Sequence, residues 1–168
     1  MGDRSSEGLG AAALVVETND HLIGTWRNVV IIVWKQETTL AGVDAGQKAY
    51  DDLAKANPSG VFLLTIVESG APMPSSSVRD ALARFLANGN GRTLLSGVAH
   101  EGTGFRAAAV RSVVTGLAVL GQLPYPHKVF ATVNEAAAWF WGNSPVARAW
   151  GEQGKMLVDA VERLRARR

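Results

Sequence analysis

The sequence predicts one α/β domain with a mostly parallel sheet, an antiparallel hairpin at its N-terminal edge and an amphipathic helix at its C-terminus. Short β-branched runs alternate with longer amphipathic patterns along most of the 168 residues. The first three runs follow one another closely, with Thr18-Asn-Asp-His21 as a turn between the first two. A hydrophobic fraction of 47% with 19% charged residues is typical of a well-packed globular chain.

The alternation assigns each run to a strand or a helix. The predicted strands are residues 12–17, 22–26, 29–34, 60–67, 93–99 and 129–131. The predicted helices are residues 40–56, 76–87, 105–120 and 134–140, with a final helix from about residue 146. Thr38 or Thr39 is predicted to cap the first helix, and Thr132 or Asn134 the fourth, because hydroxyl and amide oxygens accept bonds from free helix N–H groups.

Composition shifts divide the chain into three parts. Residues 1–10 are polar and rich in Gly and Ser, which predicts a disordered N-terminus. Residues 11–141 form the α/β domain, and residues 142–168 follow the break at Gly142-Asn-Ser-Pro145 as a helical extension. Its predicted apolar stripe consists of Val146, Trp150, Leu157, Val161 and Leu164.

The extension ends in four arginines within Glu162–Arg168. Cations near a helix C-terminus are stabilised by the helix dipole, and this is the favoured interpretation. The alternative is that the apolar stripe docks on a protein partner or on an acidic membrane surface.

Charge and residue usage exclude several function classes. The chain has no cysteine, and His21, His100 and His127 show no metal-ligand spacing, so no metal site is predicted. The net charge is only +2, and the sequence has no stretch in which basic and aromatic residues alternate, which argues against a nucleic-acid partner. Since no apolar run reaches the roughly 18 residues needed to span a bilayer, the prediction is a soluble, cytoplasmic protein.

A serine cluster follows the most apolar predicted strand, residues 60–67, at the start of a helical pattern. Sites in open α/β sheets lie at the carboxyl ends of strands, so this corner is the first candidate. One serine is predicted to be the helix N-cap, and a phosphate there would gain from the free amides and the dipole. The candidate residues for anion binding or phosphorylation are Ser75, Ser76, Ser77 and Arg79.

A second loop, Gly102-Thr-Gly-Phe-Arg-Ala107, matches G-x-G-x-x-A between a strand and a helix. The next predicted strand does not end in an acidic residue that could hold a ribose, so no cofactor is predicted. Glu68, His100 and Glu101 follow predicted strand ends and could act as acids or bases. The G-x-S-x-G motif that forms the nucleophile elbow of hydrolases is absent from the sequence, so no enzyme is predicted. The loop surface adjacent to the serines is predicted to contain Glu68, His100, Gly102, Gly104 and Arg106.

The predicted helix over residues 105–120 is apolar on most sides. Such a helix is buried or lies at an interface. Burial is favoured, and the alternatives are a dimer contact or a surface that holds an acyl chain.

The element order and the late motif Lys128-Val-Phe-Ala-Thr-Val-Asn-Glu-Ala-Ala-Ala-Trp139 resemble the STAS superfamily, in particular the bacterial SpoIIAA-like group of anti-sigma-factor antagonists. The resemblance covers residues 12–141. It implies a regulatory module in which a partner kinase phosphorylates a Ser or Thr after the central strand, within a pattern such as Asp-Ser-Ser-Gly. Here that place reads Pro74-Ser-Ser-Ser-Val78, which lacks the family's aspartate and glycine.

Together these observations predict a non-enzymatic regulatory or protein-interaction module, switched by modification or anion binding at Ser75–Ser77. The expected partner is a kinase-like protein, a sigma-factor regulator or a second copy of the chain. The alternative function is a carrier of a small apolar ligand or lipid, with a pocket between the helix over residues 105–120 and the sheet, as in the related CRAL-TRIO class.

Overall fold

The computed structural model describes residues 10–121 and 123–167, and for residues 105–106, 113–114 and 117–121 it describes the backbone only. The predicted disorder of residues 1–10 falls, except for Gly10, outside the described residues. The strands are β1 Ala13–Glu17, β2 His21–Trp26, β3 Val29–Trp34, β4 Val61–Val67, β5 Thr93–His100 and β6 His127–Phe130. The helices are α1 Leu40–Ala56, α2 Ser76–Asn88, α3 Gly104–Gly121, α4 Val133–Asn143 and α5 Lys155–Arg165.

The six strands form one mixed sheet in the order β1-β2-β3-β4-β5-β6. β1 to β3 pair antiparallel, and β3 to β6 pair parallel. The predicted fold class is therefore confirmed, since the sheet is mostly parallel with an antiparallel N-terminal edge and a C-terminal helix follows.

The strand order places the helices in two layers. Parallel crossovers are right-handed as a rule, and here each one advances the sheet in the same direction, which places α1, α2 and α3 on one face. Helices α4 and α5 cover the other face, where Phe140, Leu157 and Leu164 pack against the strands.

The two faces of the central strand β4 are filled differently. Phe62, Leu64 and Ile66 point towards α4 and α5 and are fully buried. On the α1–α3 face, Leu63 is buried, but Thr65 and Val67 keep partial exposure. The layer of α1 to α3 thus leaves part of the sheet's centre incompletely covered.

The C-terminal helix starts later than the sequence analysis predicted. Two short 3₁₀ turns, Ala147–Trp150 and Glu152–Gly154, precede α5, which begins at Lys155 and not near residue 146. Gly151 and Gly154 have φ values of 79° and 72°, a left-handed conformation that interrupts a right-handed helix. Val146, predicted on the apolar stripe, is 48% exposed, because it lies before these turns.

The rest of the extension packs into the core. Trp150, Leu157, Val161 and Leu164 are all buried against the sheet together with residues of β2, β4 and α4. Trp150 makes edge contacts with Trp26 and Phe62 at ring-centroid distances of 5.5 and 4.7 Å. These contacts place residues 147–165 in the same hydrophobic core as the strands.

Helix caps agree with the predicted chemistry. The Gly42 backbone N–H donates to Thr39 Oγ1, and the Glu135 N–H donates to Thr132 Oγ1, both at 3.1 Å. Most strand boundaries lie within one residue of the prediction, and the largest difference is at β6, which begins at His127, two residues before the predicted start.

Candidate functional site

The serine cluster lies at the start of α2 as predicted. Ser75 is the N-cap, and its Oγ accepts a long hydrogen bond of 3.4 Å from the Val78 N–H. Ser75, Ser76 and Ser77 are all exposed, and the Oγ atoms of Ser75 and Ser77 are 3.2 Å apart. The Arg79 guanidinium donates to the Pro74 carbonyl at 3.0 Å, so its charge lies at the N-terminal end of the helix. The predicted cap is confirmed, and two further hydroxyls are accessible beside a cation.

The acidic residues of the neighbouring loops contact the C-terminal helix. Arg165 of α5 donates to both carboxylate oxygens of Glu101, at 2.7 and 2.8 Å, and to Glu68 at 3.0 Å. The hydrogen bonds with Glu101 raise the pKa of Arg165 above its ordinary value, with Glu68 adding to the effect. A bidentate ion pair therefore ties α5 to the loops after β4 and β5, a connection that the sequence analysis did not predict.

The loop after β5 packs against the loop after β4. His100 is buried at the end of β5. A Cβ atom placed on Gly102 would lie 3.5 Å from His100 Cε1 and 3.7 Å from Cβ of Ser69. Gly104 is the first residue of α3, and the Arg106 side chain is outside the described part of the structure. The loop thus adjoins the segment that begins at Ser69 and leads into the serine cluster.

An apolar cavity of about 70 Å³ lies between the sheet, α2, α3 and the segment before α2. Its lining comes from four adjacent strands, from the three covering segments and from Thr38 in the loop before α1. Among the described residues, His127 is its one ionisable member. The lining residues are Ile32, Trp34, Thr38, Leu63, Thr65, Val67, Pro72, Pro74, Leu82, Phe85, Leu86, Val98, Val110 and His127. Pro72 of this lining is exposed to solvent, and Thr65 and Val67 are partly exposed.

The cavity extends across four neighbouring strands. Strands β3 to β6 all contribute to it, and three strand spacings of roughly 4.8 Å give a span of about 14 Å. A volume of about 70 Å³ is less than half of the roughly 150 Å³ that holds a benzene ring in an engineered core cavity. The shape favours a linear chain over a ring. A chain of eight carbon atoms occupies more volume than benzene, so its binding requires α3 and the segment before α2 to separate.

His127 supplies the polar end of the cavity. It lies opposite Ser96 in the parallel register of β5 and β6, and its Nδ1 is 3.0 Å from Ser96 Oγ. Its Nε2 is buried, and none of the described residues offers it a hydrogen-bond partner. Burial lowers the pKa of His127 to about 4, so the ring is neutral near pH 7.

The sequence analysis missed His127 because it began the last strand at Val129. One signal was present: His127 and Val129 are two residues apart, and residues at that spacing in a strand face the same side of the sheet. The carrier alternative placed its pocket between α3 and the sheet. In the observed cavity, Val110 is the one described lining residue from α3, and most of the covering residues come from α2 and the proline segment before it.

Within the described residues, no group of three or more His, Asp or Glu side chains is arranged to hold a metal ion. None of the described helices combines the length and the apolar character required to cross a bilayer. Comparison with protein-family models, with curated proteins and with solved structures yields no match.

Proposed function

We propose that this protein is a non-enzymatic binding protein that holds a small, mainly hydrocarbon ligand in the cavity between the sheet, α2 and α3. The observation that carries the proposal is the apolar cavity of about 70 Å³ over the middle of the sheet. Natural cores are packed to a density that leaves few voids larger than a water molecule. An apolar space at the centre of one face, beside a well-buried opposite face, makes this face the candidate site for an apolar ligand.

Electrostatics support an apolar ligand. The described lining residues include no Asp, Glu, Lys or Arg. A charged ligand would lose its hydration without gaining a countercharge, which is strongly unfavourable in an apolar site. A hydrocarbon chain gains from the same environment, at about 25 cal/mol for each Å² of apolar surface removed from water.

The test is a titration of the ¹⁵N-labelled protein with 1-octanol, followed by backbone NMR shifts. Shifts should concentrate at the cavity, and Val98→Phe, which places a ring in the cavity, should weaken binding at least tenfold. Thr65→Leu is a milder blocking variant. Thr65 is partly exposed, so the larger leucine side chain should occupy part of the cavity with less disturbance of the core.

Val15→Phe is the matched control for the blocking variants. Val15 is 50% exposed on the edge strand β1, away from the cavity, so this variant should bind like the wild type. Native mass spectrometry of protein purified without detergent provides an independent measurement, because a carrier should retain a bound apolar mass. Undisturbed NMR spectra, or equal affinity in the wild type and both blocking variants, would contradict the proposal.

A second candidate function is a regulatory module switched at the serine cluster. The accessible hydroxyls of Ser76 and Ser77 at the first turn of α2, with Arg79 beside them, favour it. A phosphate there would gain from the helix dipole and from the guanidinium. A kinase-like protein, a sigma-factor regulator or a second copy of the chain is the expected partner.

The regulatory candidate is tested by pull-down from the native host with intact-mass measurement of the recovered protein. A phosphate-sized mass gain that Ser76→Ala or Ser77→Ala removes would support it. Asp substitutions at the same two positions should change partner binding, whereas Ser112→Asp, at an exposed serine of α3, should not. Partner binding that none of the Asp variants alters would refute the switch.

A further inference from the structure

One polar pair lies at the edge of the cavity: His127 lines the cavity, and Ser96, beside it on β5, is not part of the lining. Ser96 is 1% exposed, and its hydroxyl is 3.0 Å from Nδ1 of His127. This bond engages one ring nitrogen and leaves the other, Nε2, buried without a partner among the described residues. Buried polar atoms are almost always hydrogen-bonded, because leaving one unpaired is unfavourable.

The position of this nitrogen matters as much as its lack of a protein partner. His127 is on β6, at one end of the cavity, and Trp34 on β3 is near the other. The rest of the described lining consists of apolar side chains and two threonines, Thr38 and Thr65. The cavity therefore has a polar end and an apolar length, which is the pattern of a single-headed chain.

We propose that the ligand is a linear alcohol whose hydroxyl hydrogen-bonds to Nε2 of His127 and whose hydrocarbon chain lies across β5 and β4 towards Trp34. This inference rests on the proposed binding function. It adds the chemical class of the ligand and the residue that recognises its head group.

A hydroxyl fits this site better than a carbonyl or a carboxylate. A neutral imidazole either donates or accepts at Nε2, depending on whether Ser96 donates to Nδ1 or accepts from it. A hydroxyl satisfies both arrangements, because it is a donor and an acceptor, whereas a carbonyl only accepts. A carboxylate head finds no cationic side chain in the described lining, and His127 stays neutral near pH 7.

The experiment compares 1-octanol with octanoate in the wild type and in His127→Leu, using protein with ¹⁵N-labelled histidine. We expect 1-octanol to move the Nε2 resonance of His127 and to bind about tenfold more tightly to the wild type than to the variant, the effect of one net hydrogen bond. Octanoate should bind at least tenfold more weakly than 1-octanol. The ring signal of His21, which is outside the cavity lining and 3.2 Å from Thr18 Oγ1, is the internal control.

The outcomes separate the two proposals. Backbone shifts at the cavity with an unmoved Nε2 signal, or equal affinities of wild type and His127→Leu for 1-octanol, would overturn the head-group assignment and leave the binding function standing. Tighter binding of octanoate would also overturn it. No shift at the cavity with either compound would remove both proposals. The Nε2 signal is measured in the wild type, so a poorly folded variant does not prevent a decision.

Discussion

Truncating Leu164 to alanine should destabilise the whole domain, although this residue is close to the C-terminus. Leu164 is 1% exposed and packs in the core shared by the sheet and α4. It lies directly over Gly24 of β2, where an added Cβ atom would be 2.6 Å from Leu164 Cδ2. Leu164→Ala therefore opens a cavity at the contact between α5 and the sheet.

The size of the effect follows from this burial. A buried Leu→Ala change costs about 2–5 kcal/mol, the loss of apolar burial plus a residual cavity. For a domain of this size each kcal/mol lowers the melting temperature by about 2–4 °C, so a loss near 3 kcal/mol corresponds to about 6–12 °C. The measurements are urea unfolding followed by circular dichroism and a calorimetric scan.

The matched control is Met156→Ala on the same helix, since Met156 is 36% exposed. It should change the free energy of unfolding by no more than about 0.5 kcal/mol. Gly24→Ala should itself cost about 1–3 kcal/mol through overpacking. The double variant with Leu164→Ala should be more stable than the sum of the two losses predicts, because alanine at position 164 removes one clash. Equal melting temperatures for Leu164→Ala and Met156→Ala would refute the docking of α5 on β2.

Three further predictions concern stability. Ser75→Ala removes the α2 cap and should lower the free energy of unfolding, measured in urea, by about 1 kcal/mol. Ser76→Ala should change it by no more than about 0.5 kcal/mol, and equal losses in the two variants would contradict the capping role. Arg165→Met leaves the partly buried carboxylates of Glu68 and Glu101 without their cation and should lower the free energy of unfolding by about 1–3 kcal/mol. A loss below about 0.5 kcal/mol would show that the ion pair does not stabilise the fold. Burial lowers the pKa of His127 from 6.5 to about 4, so between these pH values the unfolded chain binds more protons than the folded one. The free energy of unfolding therefore falls as the pH falls through this window, by up to about 3 kcal/mol. His127→Leu should flatten that part of the unfolding profile, and an unchanged profile would contradict the shift.

The sequence predicts most of the fold because each local signal agrees with the global one. The run Val29–Trp34 is β-branched almost throughout, and all six residues are buried as an inner strand requires. The helix caps at Thr39 and Thr132 could be predicted, because each threonine hydroxyl accepts a hydrogen bond from a backbone N–H only three residues further along the chain. The start of α5 was predicted wrongly, because the apolar spacing continues through Trp150 while Gly151 and Gly154 interrupt the helix.

The candidate site was less predictable, because it depends on contacts between distant segments. The bond between Ser96 and His127 joins residues 31 positions apart, and it exists only because β6 pairs with β5 in one register. The size of the cavity likewise depends on the distance between the sheet and helices α2 and α3. The spacing of apolar residues in the sequence does not specify that distance. The pattern indicates which face of a helix is buried, but not whether the space beneath it is filled.

One segment takes part in both proposed functions. Pro72 and Pro74 line the cavity, and the next residue, Ser75, caps α2, while Arg79 donates to the Pro74 carbonyl. We therefore expect a ligand that displaces these prolines to alter the geometry of the serine cluster, and a phosphate that draws Arg79 from the Pro74 carbonyl to alter the wall of the cavity. Binding couplings are reciprocal, so if both proposals hold, a modification that weakens ligand binding tenfold is itself disfavoured tenfold by the ligand. The affinity of Asp variants at these serines for 1-octanol measures that coupling, and an unchanged affinity would show that the two surfaces work independently.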